Sequence, residues 1–329
     1  MTGSPQTPAG GMPIVGLGIS TNADMIDGDD ELLAQHLGQI ADAGCTHAEL
    51  ILQGLDVVVG GALQPARVRR VASVLASAGL RYSIHLPYDL NLMDQEWGDD
   101  YRAVFDAGLE FAGDIGAEVV VYHSSFLAPG SGAVAAEHPR GRDLLKRDID
   151  QLRALGDAAE RNGVVIGVEN NAWTDPAALT YGLRPSDIAR HVEAVAHPNV
   201  GITLDLGHLH LTSAAYGWGF IEEIAAVRPL LAHVHAHDNF ARLSQNGQYN
   251  KDLPLGRGDL HLPMGWGSID WETTIDALAG YSGIWMMEIE YRLSGLFPEI
   301  VTEATRRLGI SPQPQRTRAT AAALMRAEP

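Results

Sequence analysis

The sequence is poor in the residues that would tie it to an oxidising compartment, a membrane or a polyanion. It holds a single cysteine, Cys45, in 329 residues. No intrachain disulfide can form, which fits a reducing, cytoplasmic setting. No apolar run approaches the ~20 residues needed to cross a bilayer. The first eleven residues are polar and rich in Gly, Pro and Thr, without the basic start and apolar stretch of a secretory signal, so none is expected. Lys and Arg number 23 against 41 Asp and Glu, a formal net charge of −18. Such an excess disfavours nucleic acid as a partner, because phosphate binding relies on clustered cations. A small molecule is the expected partner, and a homo-oligomer is compatible with the sequence.

What is present is an ordinary globular balance, with 46% hydrophobic and 19% charged residues. Short β-branched apolar runs lie at 14–19, 48–52, 82–86, 119–122, 164–168, 201–204, 231–234 and 284–289. Between most of them stand segments with apolar residues at helical spacing: 32–43, 65–78, 101–115, 143–162, 186–196 and 271–279, with 298–308 after the last run. Strict alternation of strand and helix implies parallel strands covered by helices. Eight such units predict a single α/β domain, a (β/α)8 TIM barrel over 13–310, with tails at 1–12 and 311–329. An open doubly wound sheet would carry a Gly-rich phosphate turn after its first strand, and Gly16-Leu17-Gly18-Ile19-Ser20 lacks the third glycine. Two long loops, 126–142 and 240–267, follow strands four and seven, where lids and binding loops are expected.

The chemistry is written at the strand ends. Strand three ends in His85-Leu86-Pro87-Tyr88 and strand four in Tyr122-His123-Ser124. Strand five ends in Val168-Glu169-Asn170, and strand six in Asp205-Leu206-Gly207-His208. Strand seven ends in His233-Val234-His235-Ala236-His237-Asp238, followed by Asp259-Leu260-His261. Strand eight ends in Met287-Glu288-Ile289-Glu290. Six successive strands deliver His, Asp or Glu at one height, and in a barrel those ends converge on one mouth. Converging carboxylates and imidazoles without matching Arg or Lys repel or stay unpaired, and a divalent cation removes that cost. Mixed nitrogen and oxygen ligation suits Zn, Mn, Fe or Co better than Ca. A lone His in a strand is more often a hydrogen-bonded core residue, so the joint pattern carries the argument. His233, His235 and His237 alternate and share one face. Of these, His235 is the expected ligand, His233 deeper lining and His237 either a rim group that touches substrate or a support behind the ligands. Glu288 is preferred over Glu290 because it ends the apolar run.

This ordered set, with Leu262-Pro263-Met264-Gly265-Trp266-Gly267, resembles the xylose isomerase-like TIM-barrel superfamily over nearly the whole barrel. The resemblance implies a metal-dependent sugar isomerase or epimerase in which Glu169, Asp205, His235 and Glu288 bind a divalent ion (Zn, Mn, Fe, Co or Mg). In that role Glu169 and Glu288 exchange a substrate proton, and His208 orients an oxygen or relays a proton. The endonuclease IV branch of the superfamily uses more ligands for a three-zinc cluster. Its additional positions match His85, His123, His208, Asp259 and His261, so one to three ions are admitted and phosphoester hydrolysis stands as the alternative activity. Trp266 replaces a common acidic residue, and His123-Ser124-Ser125 replaces the His-Pro-Gly of typical endonuclease IV chains. Rim candidates for substrate contact are Tyr88, Trp173, His237, Arg257 and Trp266, with Trp97 as a further aromatic. Arg140, Arg142, Lys251, Arg257 and Arg292 form no evident track for a DNA backbone.

Overall fold

The computed structural model describes residues 11–124, 139–172, 181–244 and 252–311. Eight strands carry the fold: β1 (Gly16–Ser20), β2 (His47–Ile51), β3 (Arg81–His85), β4 (Val119–His123), β5 (Val165–Glu169), β6 (Val200–Asp205), β7 (Leu231–Ala236) and β8 (Ile284–Met287). Each pairs in parallel with its sequence neighbours, and β1 pairs with β8, so the sheet closes into a barrel. The predicted runs match these strands to within one or two residues at most ends. Closure leaves the barrel sheet without an edge that could recruit another strand.

Helices cover the barrel: α1 (Asp30–Asp42), α2 (Pro65–Ala78), α3 (Gly98–Ile115), α4 (Pro139–Asn162), α5 (Pro185–Val195), α6 (Leu206–Tyr216), α7 (Phe220–Val227), α8 (Trp271–Ala277) and α9 (Phe297–Leu308). The Asp29 carboxylate caps α1 by accepting from the N–H groups of Glu31 and Leu32. Gly79, Gly116, Gly217 and Gly309 end four of the others in the left-handed region. Two helices, α6 and α7, fill the β6–β7 connection, where no helical spacing was evident in the sequence. Most of the first two turns of α6 are buried, so it shows no polar stripe to read. The predicted helix at 143–162 begins earlier, at Pro139.

Strand alternation sorts side chains into two apolar layers. Outward residues such as Ile19, Leu50, Ile84, Val120, Val168, Leu204, Val234 and Trp285 pack against the helices in one large core. Inward residues Val119, Val121, Ile284 and Met286 form a separate, smaller cluster inside the barrel. Each fully buried side chain of this kind contributes roughly 1.5–3 kcal/mol. Above that inner cluster the inward positions turn polar.

Met12, although preceded by a polar stretch, is buried, and its N–H bonds to the carbonyl of Leu308. The two termini of the barrel are thereby tied together. Residues 126–138 of the first long loop, 245–251 of the second, Trp173, Lys251 and most of both tails lie outside the described residues. No helix among the described residues is long and apolar enough to cross a membrane.

Candidate metal centre

The strands deliver their terminal side chains to one buried cluster. Glu169, the last residue of β5, stands at its middle and is fully buried. Its Oε1 lies 2.9 Å from His235 Nδ1 and 3.7 Å from His208 Nδ1. Its Oε2 lies 3.3 Å from His85 Nε2 and 3.2 Å from His123 Nε2. His235 Nδ1 also stands 3.6 Å from Glu288 and 3.9 Å from Asp205.

Asp205 has two tasks, one for each oxygen. Its Oδ1 accepts from the His208 N–H at 2.5 Å and caps α6, and its Oδ2 meets His237 Nε2 at 3.1 Å. The cap places the His208 ring over the mouth, where Nδ1 engages the Asn170 carbonyl at 2.8 Å and Nε2 reaches Asp259 at 3.3 Å. Asn170 holds the Asp205 backbone through both its amide atoms. The glycine between cap and histidine has a steric reason. A Cβ on Gly207 would lie 2.0 Å from the His237 ring, so only glycine lets that imidazole in.

His237 is therefore fully buried rather than a rim group. Its Nε2 is 3.6 Å from Asp259, and its ring stacks on His261 at 4.3 Å. His261 itself contacts Asp259 at 2.7 Å. The neighbouring Asp238 serves structure: its carboxylate accepts from the N–H groups of Asn239, Gly265 and Ile269 and from the Trp271 indole. That pins the 262–267 turn beneath the mouth.

The donors fall into contiguous groups whose ligand atoms lie within 4.8 Å of one another: His85, His123 and Glu169; Glu169, Asp205, His235 and Glu288; His208, His237, Asp259 and His261. Glu169 belongs to two of them. Several of these atoms are buried and make no hydrogen bond, among them Glu169 Oε2, His85 Nε2 and Asp259 Oδ1. Orphaned lone pairs at this density cost several kcal/mol unless a cation takes them up, so the residues fit divalent metal.

Electrostatics agree. Burial alone would raise the Glu169 carboxyl, but the charges of His235 and His123 overcome it and hold it well below the usual range. Asp205 is held at about 2 against its burial by His208 and His237. His208 and His235 lose basicity to burial and regain more from surrounding carboxylates, so both are raised well above the ordinary imidazole value. Glu288 goes the other way. Burial, with repulsion from Asp205 and Glu169, outweighs the attraction of His235 and His237 and pushes it up to about 7. Among the described residues, every ion-pair partner of these carboxylates is a histidine.

The model of the xylose isomerase-like TIM barrel family matches residues 37–325. The chain belongs to that family. A similar protein is the uncharacterized protein MJ1311 of Methanocaldococcus jannaschii, 24% identical over 78% of this chain and 79% of that protein. A probable endonuclease 4 of Mycobacterium leprae is 26% identical over 64% of this chain and 73% of that protein. Among solved structures, a D-tagatose 3-epimerase-like protein superposes with a TM-score of 0.66 at 21% identity, covering 90% of this chain and 98% of that one.

Within this family frame, all nine residues expected as ligands meet at the mouth. Tyr88 is 41% exposed and lies edge-on to His85 at 4.9 Å, at the rim. Trp266 is 51% exposed, and Arg257 is half-buried in the turn after Leu253–Leu255. Glu290 faces Arg292 at 3.8 Å, leaving the mouth to Glu288. One participant escaped the sequence reading. Glu49 of β2 is fully buried and contacts both His233, at 3.2 Å, and His235, at 2.9 Å. Its only signal was a lone carboxylate in an apolar strand, in phase with His47.

Proposed function

We propose that this protein is a divalent-metal-dependent isomerase or epimerase that moves a proton beside the carbonyl of a small polyol, ketose or keto-sugar. The observation that carries this reading is the pair Glu169 and Glu288, which face one imidazole nitrogen of His235 at 2.9 and 3.6 Å in a buried mouth whose carboxylates, among the described residues, pair with histidines. Their environments push them apart: one carboxyl is held ionised and the other near neutrality. Structural neighbours named as a D-tagatose 3-epimerase-like protein, a D-psicose 3-epimerase and an L-ribulose 3-epimerase support the substrate class.

Glu169, Asp205, His235 and Glu288 would hold the central ion, with His85 and His123 on one side of Glu169 and His208, His237, Asp259 and His261 on the other. A bound divalent ion supplies Lewis acidity, which polarises a carbonyl and acidifies the neighbouring C–H. Glu169 takes the substrate proton, and Glu288 returns one. His208, fixed through Asn170, orients a substrate oxygen. Tyr88 and Trp266 offer apolar faces at the rim. The test is solvent exchange: metal-loaded enzyme incubated in deuterated water with a panel of ketoses and polyols is expected to place one deuterium on carbon in a substrate. Absence of exchange across the panel would remove this reading.

The sharing of Glu169 by two donor groups, with a third group beside them, favours a second reading, a multinuclear phosphoesterase. The relative named probable endonuclease 4 supports it. Several ions together suit activation of water and binding of a phosphate. The charge of −18 weighs against a DNA substrate. Cleavage of an abasic duplex, or DNA binding that weakens steeply with salt, would bring this reading to the front.

A further inference from the structure

Glu49 lies below the mouth, on the inner face of β2. Its Oε2 accepts from Ser83 Oγ at 2.8 Å and engages His233 Nε2 at 3.2 Å. Its Oε1 has one close neighbour, His235 Nε2, at 2.9 Å. That contact is an ion pair without hydrogen-bond alignment, and neither atom has a hydrogen-bond partner among the described residues. The opposite nitrogen of the same ring, Nδ1, faces Glu169, Glu288 and Asp205. The two nitrogens of His235 are thus divided between two environments: three carboxylates of the ligand set on one side, and a single anchored carboxylate on the other.

We infer that Glu49 is a positioning residue for the metal centre, its anchored carboxylate facing Nε2 of His235 so that the Nδ1 lone pair is presented to the central ion. The inference rests on the metal-dependent reading above. An imidazole ligand can offer only one nitrogen, and the hydrogen bond made by the other sets both tautomer and ring direction. Ser83 and His233 keep Oε2 occupied, so the Glu49 carboxylate cannot swing away from His235. No direct contact between Glu49 and substrate is implied.

The experiment is a calorimetric titration of chelator-stripped protein with Zn²⁺, on wild type, Glu49→Gln and Glu49→Ala, each checked for folding by circular dichroism. Glutamine keeps the size and an acceptor oxygen but loses the charge; alanine loses both. Partners of this kind contribute about 10–100-fold to metal affinity. The expected order is wild type tightest, Glu49→Gln weaker by about tenfold and Glu49→Ala weaker by about a hundredfold. The loss should be confined to one class of ion. If Glu49→Ala does not fold, Ser83→Ala carries the test, because it loosens Oε2 without altering charge and should weaken Zn²⁺ by about threefold. Affinity in Glu49→Gln equal to wild type would make the residue a packing element and overturn the inference. Affinity as low as in Glu49→Ala would make it a bare charge or a direct ligand, and would overturn it equally. A wild-type chain that takes up no Zn²⁺ would instead overturn the metal-dependent reading itself.

Discussion

His47 and His235 are both fully buried histidines on the inner face of the same barrel, and they are in opposite situations. His47 opens β2, at the bottom. Its ring sits against Thr46 Oγ1 at 2.8 Å and Glu118 at 3.1 Å, and Glu118 in turn pairs with Arg81 at 2.7 Å. Glu118 is 28% exposed, so water screens it as well. Gly16 leaves the ring its space, since a Cβ there would lie 2.0 Å from it. His235, near the top, stands among Glu49, Glu169, Glu288 and Asp205, with no arginine or lysine paired to any of them among the described residues. Taking a charge out of water costs several kcal/mol per ion even after relaxation. Against a total stability of roughly 5–15 kcal/mol, a cluster of that kind is not retained for folding. The contrast teaches that a buried histidine is no signal by itself. The signal is a surplus of buried carboxylate whose only partners are imidazoles.

That contrast can be broken at the top with large effects and at the bottom with small ones. Glu169→Gln keeps the size of the side chain while removing the charge at the centre of the cluster. It should leave the circular dichroism spectrum intact and lower kcat by roughly 10²–10⁴-fold on whichever substrate shows solvent exchange. Near-normal turnover would take Glu169 out of the chemistry.

Glu288 tests the electrostatics by pH. In the metal-free protein its folded pKa is raised to about 7, above its unfolded value. The folded state then holds the extra proton, so the associated stability is full below the ordinary carboxylate range and is lost as pH rises through about 7. Glu288→Gln should therefore raise the melting temperature of metal-free protein at pH 8 and leave it unchanged at pH 4. An equal shift at both values would contradict the assignment.

His47→Gln should have the smallest consequence. It removes a structural pair, for a loss of about 1–3 kcal/mol read by urea unfolding. Metal content and turnover should not change, and a fall in bound metal would erase the distinction between the two ends of the barrel.

Much of this was legible in the sequence, because both signals are local. Strand alternation and short apolar runs locate the eight strands, and the residue that ends each run reaches the mouth because a barrel makes strand ends converge. Glu49 was not legible in the same way. Its partner His233 lies 184 residues away, and no local pattern distinguishes a carboxylate that meets it from one that meets solvent. The helix α6 was hidden for another reason: the segment from Leu206 to Ser213 is mostly buried all round, which removes the stripe that betrays a surface helix. The place of His237, at the rim or behind the ligands, was left open because alternation sets only the face it shares with His235. Its inward course depends on the missing side chain of Gly207, a contact between residues thirty positions apart.

The most direct test of the central claim is the number of divalent ions carried per chain by protein purified without chelator, measured by elemental mass spectrometry beside Asp205→Asn. Asp205 belongs to the group around Glu169, and its replacement exchanges an anionic ligand for a neutral one. At least one ion per wild-type chain is expected, with a clear loss in the variant; two or three ions would extend the site to the His85 and Asp259 groups. A wild-type chain that carries none even after exposure to Zn²⁺, Mn²⁺ and Co²⁺, or a variant whose content is unchanged, would contradict the claim.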